Sequence, residues 1–228
     1  MKILLFGATG MVGQGVLREC FRARDVESVL AVGRTSTGIQ HPKLRELLLD
    51  NPGNLKGQEE TLRGCDACFF PLGVSSGGMT EDDYTRITYD LTLSVASFLA
   101  ALNPGMTFVY VSGAGTDSSE RGKIMWARVK GRTENALLRL PLAAYMFRPG
   151  LIRPLDGIHS KTPAYRLLYT LSAPLLPLLH RFFPAHVLST REVGQAMLAV
   201  ARRGYPTHVL ETRDLRALVR DSFARPAA

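Results

Sequence analysis

Apolar residues gather in short unbroken runs separated by glycine, proline and polar breaks. Lys2–Phe6 opens the series, and its unbroken hydrophobicity predicts a strand covered on both faces. Glycine-rich Gly7–Gly13 follows, and Val12–Phe21 carries helix-forming residues. Glu27–Val32 predicts a second strand, ending at Gly33-Arg34. A third strand is expected at Leu47–Asp50, although Leu44–Leu49 also fits a helix. Asp66–Leu72 predicts a fourth, ahead of the glycine- and serine-rich Gly73–Gly78. Thr80 is placed to cap a long helical stretch through Ala101, and Glu81, Asp82 and Asp83 suit the positive end of its dipole. Asn103-Pro104-Gly105 stops that helix. Thr107–Val111 predicts a fifth strand, Lys123–Leu140 a helix closed by Pro141, and Ala143–Phe147 a sixth strand stopped by Arg148-Pro149-Gly150.

Beyond Gly150 the alternation changes. Leu151–Thr162 reads as a loop, and Ala164–Phe183 is leucine-rich but broken by Pro174 and Pro177. Thr190 is placed to cap a helix through Arg203, and Glu211–Val219 predicts a last short helix. Strands alternating with helices make this an α/β chain: a Rossmann-like, doubly wound parallel sheet. At 228 residues a single domain, 1–228, is expected, with 151–228 forming a small C-terminal cap on the substrate side.

Composition narrows the class. Hydrophobic residues make up 46% of the chain and charged ones 21%, which gives a sizeable core and excludes disorder as the main state. Three cysteines build no disulfide framework and fit a reducing compartment; MKILLFGATG is too short an apolar run for a signal peptide. A cytoplasmic protein is the expectation. The net charge of +8 is uneven, with 10 basic and 14 acidic side chains in residues 1–120 against 18 and 6 afterwards. No nucleic-acid motif accompanies the basic half, so no nucleic-acid partner is expected.

Candidate chemistry begins at the first loop. Gly7-Ala8-Thr9-Gly10-Met11-Val12-Gly13 spaces its glycines as GxxGxxG between a buried strand and a helix. That position asks for a tight turn, a backbone that approaches a pyrophosphate, and unpaired helix N–H groups facing the anion. Gly7, Thr9, Gly10, Met11, Val12 and Gly13 are the expected cradle. Where an NAD-binding chain carries an acid after strand two, this one has Arg34 with Thr35 and Ser36, donors suited to a 2′-phosphate; NADP is expected over NAD. Asp50 is a candidate for meeting the adenine. Cys65-Asp66-Ala67-Cys68 has the CxxC spacing, but no second pair completes a metal site and no metal is expected. His159 is either a surface residue or faces substrate. Ala164–Phe183 reads as a lid or as core, with membrane contact the less favoured alternative.

On GATGMVG, GR, CDACFFPLGVSS, FVYVSGAG, WARVKG and FRPG, the chain resembles the short-chain dehydrogenase/reductase superfamily. It looks most like the atypical, epimerase-like branch and, within it, the Tat-interacting-protein-like oxidoreductases. The resemblance implies that Leu72, Gly73 and Val74 line the cofactor, that Ser112 or Gly113 takes the place of the family's serine, and that Arg148, Pro149 and Gly150 lie near the nicotinamide. It implies that Lys130 binds the nicotinamide ribose. The family's Tyr-x-x-x-Lys reads here as Trp126-Ala127-Arg128-Val129-Lys130, so an indole stands where the family has its proton donor. Ser112, Tyr84, Tyr89 or a water then remain as proton sources, and Ser112, Trp126 and Lys130 are the candidate catalytic group. The expectation is an NADP(H)-dependent oxidoreductase acting on a small apolar molecule. A non-catalytic NADPH sensor working through a protein partner is the competing class, and an epimerase-like enzyme a weaker one.

Overall fold

The computed structural model describes residues 1–155, 157 and 187–224. Ala164–Phe183 and His159 lie outside the described residues. Seven parallel strands form the main sheet in the order β3-β2-β1-β4-β5-β6-β9. They are β1 (Lys2–Phe6), β2 (Ser28–Gly33), β3 (Leu44–Leu48), β4 (Ala67–Phe70), β5 (Thr107–Val111), β6 (Ala143–Arg148) and β9 (Val209–Glu211). Two further strands, β7 (Leu151–Arg153) and β8 (Val187–Ser189), pair in parallel beside it. The helices are α1 (Met11–Arg22), α2 (Glu59–Leu62), α3 (Glu81–Thr85), α4 (Leu91–Leu102), α5 (Met125–Leu137), α6 (Thr190–Arg203) and α7 (Thr212–Ala224). A π-helical turn, Arg86–Asp90, joins α3 to α4.

The unbroken apolar runs are explained by cover on both sheet faces. Along β1, Ile3 and Leu5 point into the layer under α1, α6 and α7, while Leu4 and Phe6 point into the layer under α4 and α5. Val109 and Phe147 share the first layer; Phe108, Tyr110 and Met146 share the second. Phe6, Phe70 and Phe108 are fully buried there, and each such side chain contributes roughly 1.5–3 kcal/mol relative to exposure.

Several elements differ from the sequence reading. The third strand starts earlier, at Leu44, and pairs through its length with β2, Val29 opposite Leu44 and Gly33 opposite Leu48. It is an edge strand, so its polar positions face outward and its apolar period is weak. Leu151–Arg153 is strand rather than loop, and β9 adds a seventh strand beside β6. The cap of α6 is Ser189, not Thr190: its hydroxyl accepts from the Glu192 amide at 3.2 Å, and Glu192 accepts from the Ser189 amide at 2.7 Å. Thr190 instead sits in a tight crossing, where a Cβ at Gly15 of α1 would lie 2.6 Å from the Thr190 Cβ. A Cβ at Gly194 would lie 3.1 Å from Val16 Cα. These two glycines let α1 and α6 touch, so residues 187–224 belong to the layers of the sheet.

Candidate functional site

The carboxyl ends of β1, β2 and β4 open into a cleft of about 920 Å³. Gly7 and Gly10 form its floor. Gly7 adopts φ +74°, and its carbonyl accepts from the Gly10 amide at 2.9 Å. A Cβ at Gly7 would also lie 3.0 Å from Leu72 Cα. Gly13 sits under the turn, where a Cβ would come within 2.0 Å of the Gly7 carbonyl oxygen. Helix α1 has no acid in its first turn and no side-chain cap at Gly10, so its first amides present their donors to the cleft. Thr9 is tied in through its carbonyl, which accepts from Gln14 Nε2 at 3.1 Å.

Of the residues singled out in the sequence, Gly7, Thr9, Gly10, Met11, Val12, Arg34, Asp50, Leu72, Gly73 and Val74 all line this one cleft. Arg34 is exposed, and among the described residues no carboxylate pairs with it. Among the lining groups that sequence reasoning missed are Glu46, Ile87 and Leu91. Glu46 of β3 accepts from the Ser36 hydroxyl and the Thr37 amide, both at 2.6 Å, and so pins the turn that follows Arg34. Burial opposes the Glu46 charge, but those hydrogen bonds outweigh it and hold the carboxyl below its ordinary value. Ile87 and Leu91 enter from the π turn and the start of α4. Placing the third strand too late hid Glu46; no period in the sequence marks a π turn.

A second cluster lies at the ends of β5 and β6, apart from the residues that line the cleft. Lys130 donates from Nζ to the Ser112 carbonyl. The Ser112 hydroxyl, a candidate proton source, is buried: it donates to Glu134 Oε1 at 2.5 Å, and its oxygen lies 3.2 Å from the Phe147 carbonyl. Arg148 turns toward α5 and forms an ion pair with Glu134. Pro149 accepts from the Ala114 amide at 2.9 Å, and the Gly150 amide donates to Thr212 Oγ1 at 2.8 Å. Trp126 lies over the loop after β5, where a Cβ at Gly115 would be 3.5 Å from its ring. Tyr84 is buried at 2% exposure, and the Tyr89 ring carries the Arg132 guanidinium at 4.3 Å. The cysteines are quiet: burial pushes the Cys20 thiol up to about 12 and raises Cys65 and Cys68. Cys65 precedes β4 and packs, like Cys68, against the layer under α4 and α5, so the two do not face opposite sides as strand alternation suggests. Among the described residues no group of three potential ligands could hold a metal, and no helix is long and apolar enough to cross a membrane.

Burial lowers the Lys130 amine from 10.5 to about 8, against the opposing charge of Glu134. A cation whose folded pKa is depressed detracts from stability below that pKa. The deficit shrinks as pH climbs from about 8 to 10.5, where the unfolded chain holds the proton and the folded chain has released it. Wild type should therefore gain stability relative to Lys130→Met over that window in urea unfolding. A constant difference across it would contradict this account.

No protein-family model matches the chain. Among curated proteins, Protein FMP52, mitochondrial, of Meyerozyma guilliermondii is 24% identical over 157 residues, covering 67% of this chain and 65% of that protein. Its namesake in Eremothecium gossypii is 28% identical over 165 residues, covering 71% and 70%. The chain thus matches about two thirds of these relatives' length. Both are named as mitochondrial proteins, which overturns the cytoplasmic expectation. Cysteine usage carries no address. Among solved structures, a short-chain dehydrogenase/reductase family oxidoreductase from Burkholderia thailandensis superposes with a TM-score of 0.65 at 14% identity, covering 98% of this chain and 97% of its own. The enzyme WbmF of Bordetella bronchiseptica, in complex with NAD+ and UDP, gives 0.65 at 14%, covering 100% and 78%. The parallel sheet, the glycine turn and these superpositions agree: the chain has the Rossmann-like fold of the short-chain dehydrogenase/reductases and their epimerase-like relatives.

Proposed function

We propose that the chain binds NADP(H) and is an oxidoreductase for a small, largely apolar molecule. The observation that carries the reading is the cradle at Gly7–Gly13, whose turn lies so close on α1 that a Cβ at Gly13 would come within 2.0 Å of the Gly7 carbonyl oxygen. Such a cradle suits a diphosphate held by main-chain amides. A dinucleotide there would lay its adenosine between Arg34 and Asp50, and its nicotinamide half would run past Leu72, Gly73 and Val74 toward Lys130. When bound, the cofactor supplies the hydride chemistry. The protein's part is to orient it: main-chain amides for the diphosphate, the Arg34 guanidinium for the 2′-phosphate, Lys130 for the second ribose, and Pro149-Gly150 beside the ring. The relatives' names also put a mitochondrial setting forward for the chain.

Titration calorimetry tests the cofactor choice. NADPH is expected to bind at least about tenfold more tightly than NADH, because a guanidinium–phosphate pair contributes roughly 1.5–3 kcal/mol. Arg34→Ala should remove most of that preference and leave NADH binding nearly unchanged. Equal affinities in the wild type would reject the NADP assignment.

A second reading, an NADPH-sensing protein without turnover, is favoured by one specific feature. Trp126 takes the proton donor's place and the Ser112 hydroxyl is already spent on Glu134. Single-turnover mixing of the NADPH complex with carbonyl, enone and quinone acceptors separates the two readings. Oxidation of NADPH by any of them supports the enzyme.

A further inference from the structure

Ser112 is gripped on every polar atom. Its amide donates to the Phe147 carbonyl at 2.9 Å, its hydroxyl to Glu134, and its own carbonyl accepts the Lys130 ammonium. Glu134 is 1% exposed. Arg148, 11% exposed, donates from Nε to Glu134 Oε1 at 3.1 Å and from Nη2 to Oε2. Arg148 is itself steadied by the Ser118 hydroxyl at 2.5 Å and by Glu211 at 3.5 Å. Lys130 and Glu134 stand four residues apart on α5, so one helix face holds a single strand residue by its carbonyl and by its hydroxyl.

A fold needs no such device here. A buried ion pair costs several kcal/mol of desolvation per ion, and an apolar pair of similar volume would pack as well or better. What the charged network adds is a fixed position. A lysine side chain is a flexible four-carbon stem, and its ammonium takes its place from the acceptor it finds.

We propose that Glu134 is a positioning residue: clamped by Arg148, it fixes Ser112 and thereby sets where the Lys130 ammonium meets the nicotinamide-ribose half of a bound dinucleotide. This rests on the dinucleotide reading given above. Glu134 touches neither cofactor nor substrate. It acts through Ser112 and Lys130, so its influence is confined to one half of the ligand.

That confinement gives the test. Wild type, Glu134→Gln and Ser112→Ala are titrated by calorimetry with NADPH and with 2′,5′-ADP. The fragment fills the glycine-loop and Arg34 end without reaching α5. Trp126, the chain's single tryptophan, reports the same NADPH titration by its quenching. Glu134→Gln should bind 2′,5′-ADP as wild type does and NADPH about tenfold more weakly, the loss of one charge-assisted hydrogen bond. Ser112→Ala, which leaves the Glu134–Arg148 pair intact, should show the same selective loss at about threefold. Unchanged NADPH affinity in Glu134→Gln overturns the proposal. So does an equal loss of both ligands, which would mark Glu134 as architectural. If wild type binds neither ligand, the dinucleotide reading falls and takes this inference with it.

Discussion

Gly13→Ala should abolish nucleotide binding, with NADPH and 2′,5′-ADP affinities falling by about a hundredfold or more and the melting temperature dropping with them. The new methyl would sit 2.0 Å from the Gly7 carbonyl oxygen, 2.7 Å from its carbon and 2.9 Å from Ala8 Cα. All three are main-chain atoms, so no side chain can swing aside. The turn must move off α1, and the amides that face the cleft move with it. Gly10 is the internal control. A Cβ there meets only the Gly7 carbonyl oxygen at 3.3 Å, a contact that a small shift relieves. Gly10→Ala should therefore leave the turn in place and the melting temperature nearly unchanged. Thermal unfolding of the two variants decides the matter, and equal losses of melting temperature would show that the turn does not depend on how closely α1 approaches it.

Arg148→Met should cost about 3–5 kcal/mol of unfolding free energy, because it strands the Glu134 carboxylate in a dry site. The Ser112 hydroxyl still donates to that carboxylate, but a neutral donor does not offset a lost guanidinium. Adding Glu134→Leu should recover much of the stability, since the partnerless charge is then gone. The recovery separates two properties of the network. Stability returns with the apolar pair, whereas the selective weakening of NADPH binding stays. Urea unfolding of the two single variants and the double variant completes the cycle. A cost below about 1 kcal/mol for Arg148→Met would mean that water reaches the site and that the pair is an ordinary surface contact.

Those two residues show where sequence reasoning stops. Strands β1, β5 and β6 were legible because the sheet is covered on both faces, so their apolar runs are unbroken. The glycine loop was legible because its demand is local: a turn, a close approach and a helix start within seven residues. Ten of the residues expected to hold a cofactor do share one cleft. The third strand was harder, since Leu-Arg-Glu-Leu-Leu at a sheet edge reads equally well as a helix. Strand β9 has three residues and gives no period to detect. Arg148 was placed near the nicotinamide by the family resemblance alone, which says nothing of an ion pair. Its partner is set by α5, which only the fold brings beside it. Glu134 was missed, although it stands four residues after Lys130 and so shares a helix face with it. Nothing local marked that face as buried.

The α1–α6 crossing has a consequence for how the chain is made. The Gln195 side chain donates to Glu19 at 3.1 Å across a separation of 176 residues, beside the Gly15–Thr190 and Gly194–Val16 approaches. Synthesis delivers α1 well before α6. Until Thr190–Gly194 leaves the ribosome, the helix whose tip faces the cleft has one flank bare. A nascent chain stalled before that point would hold the glycine turn but not the buttress behind it. Ligand capture by such an intermediate should lag well behind completion of the first six strands.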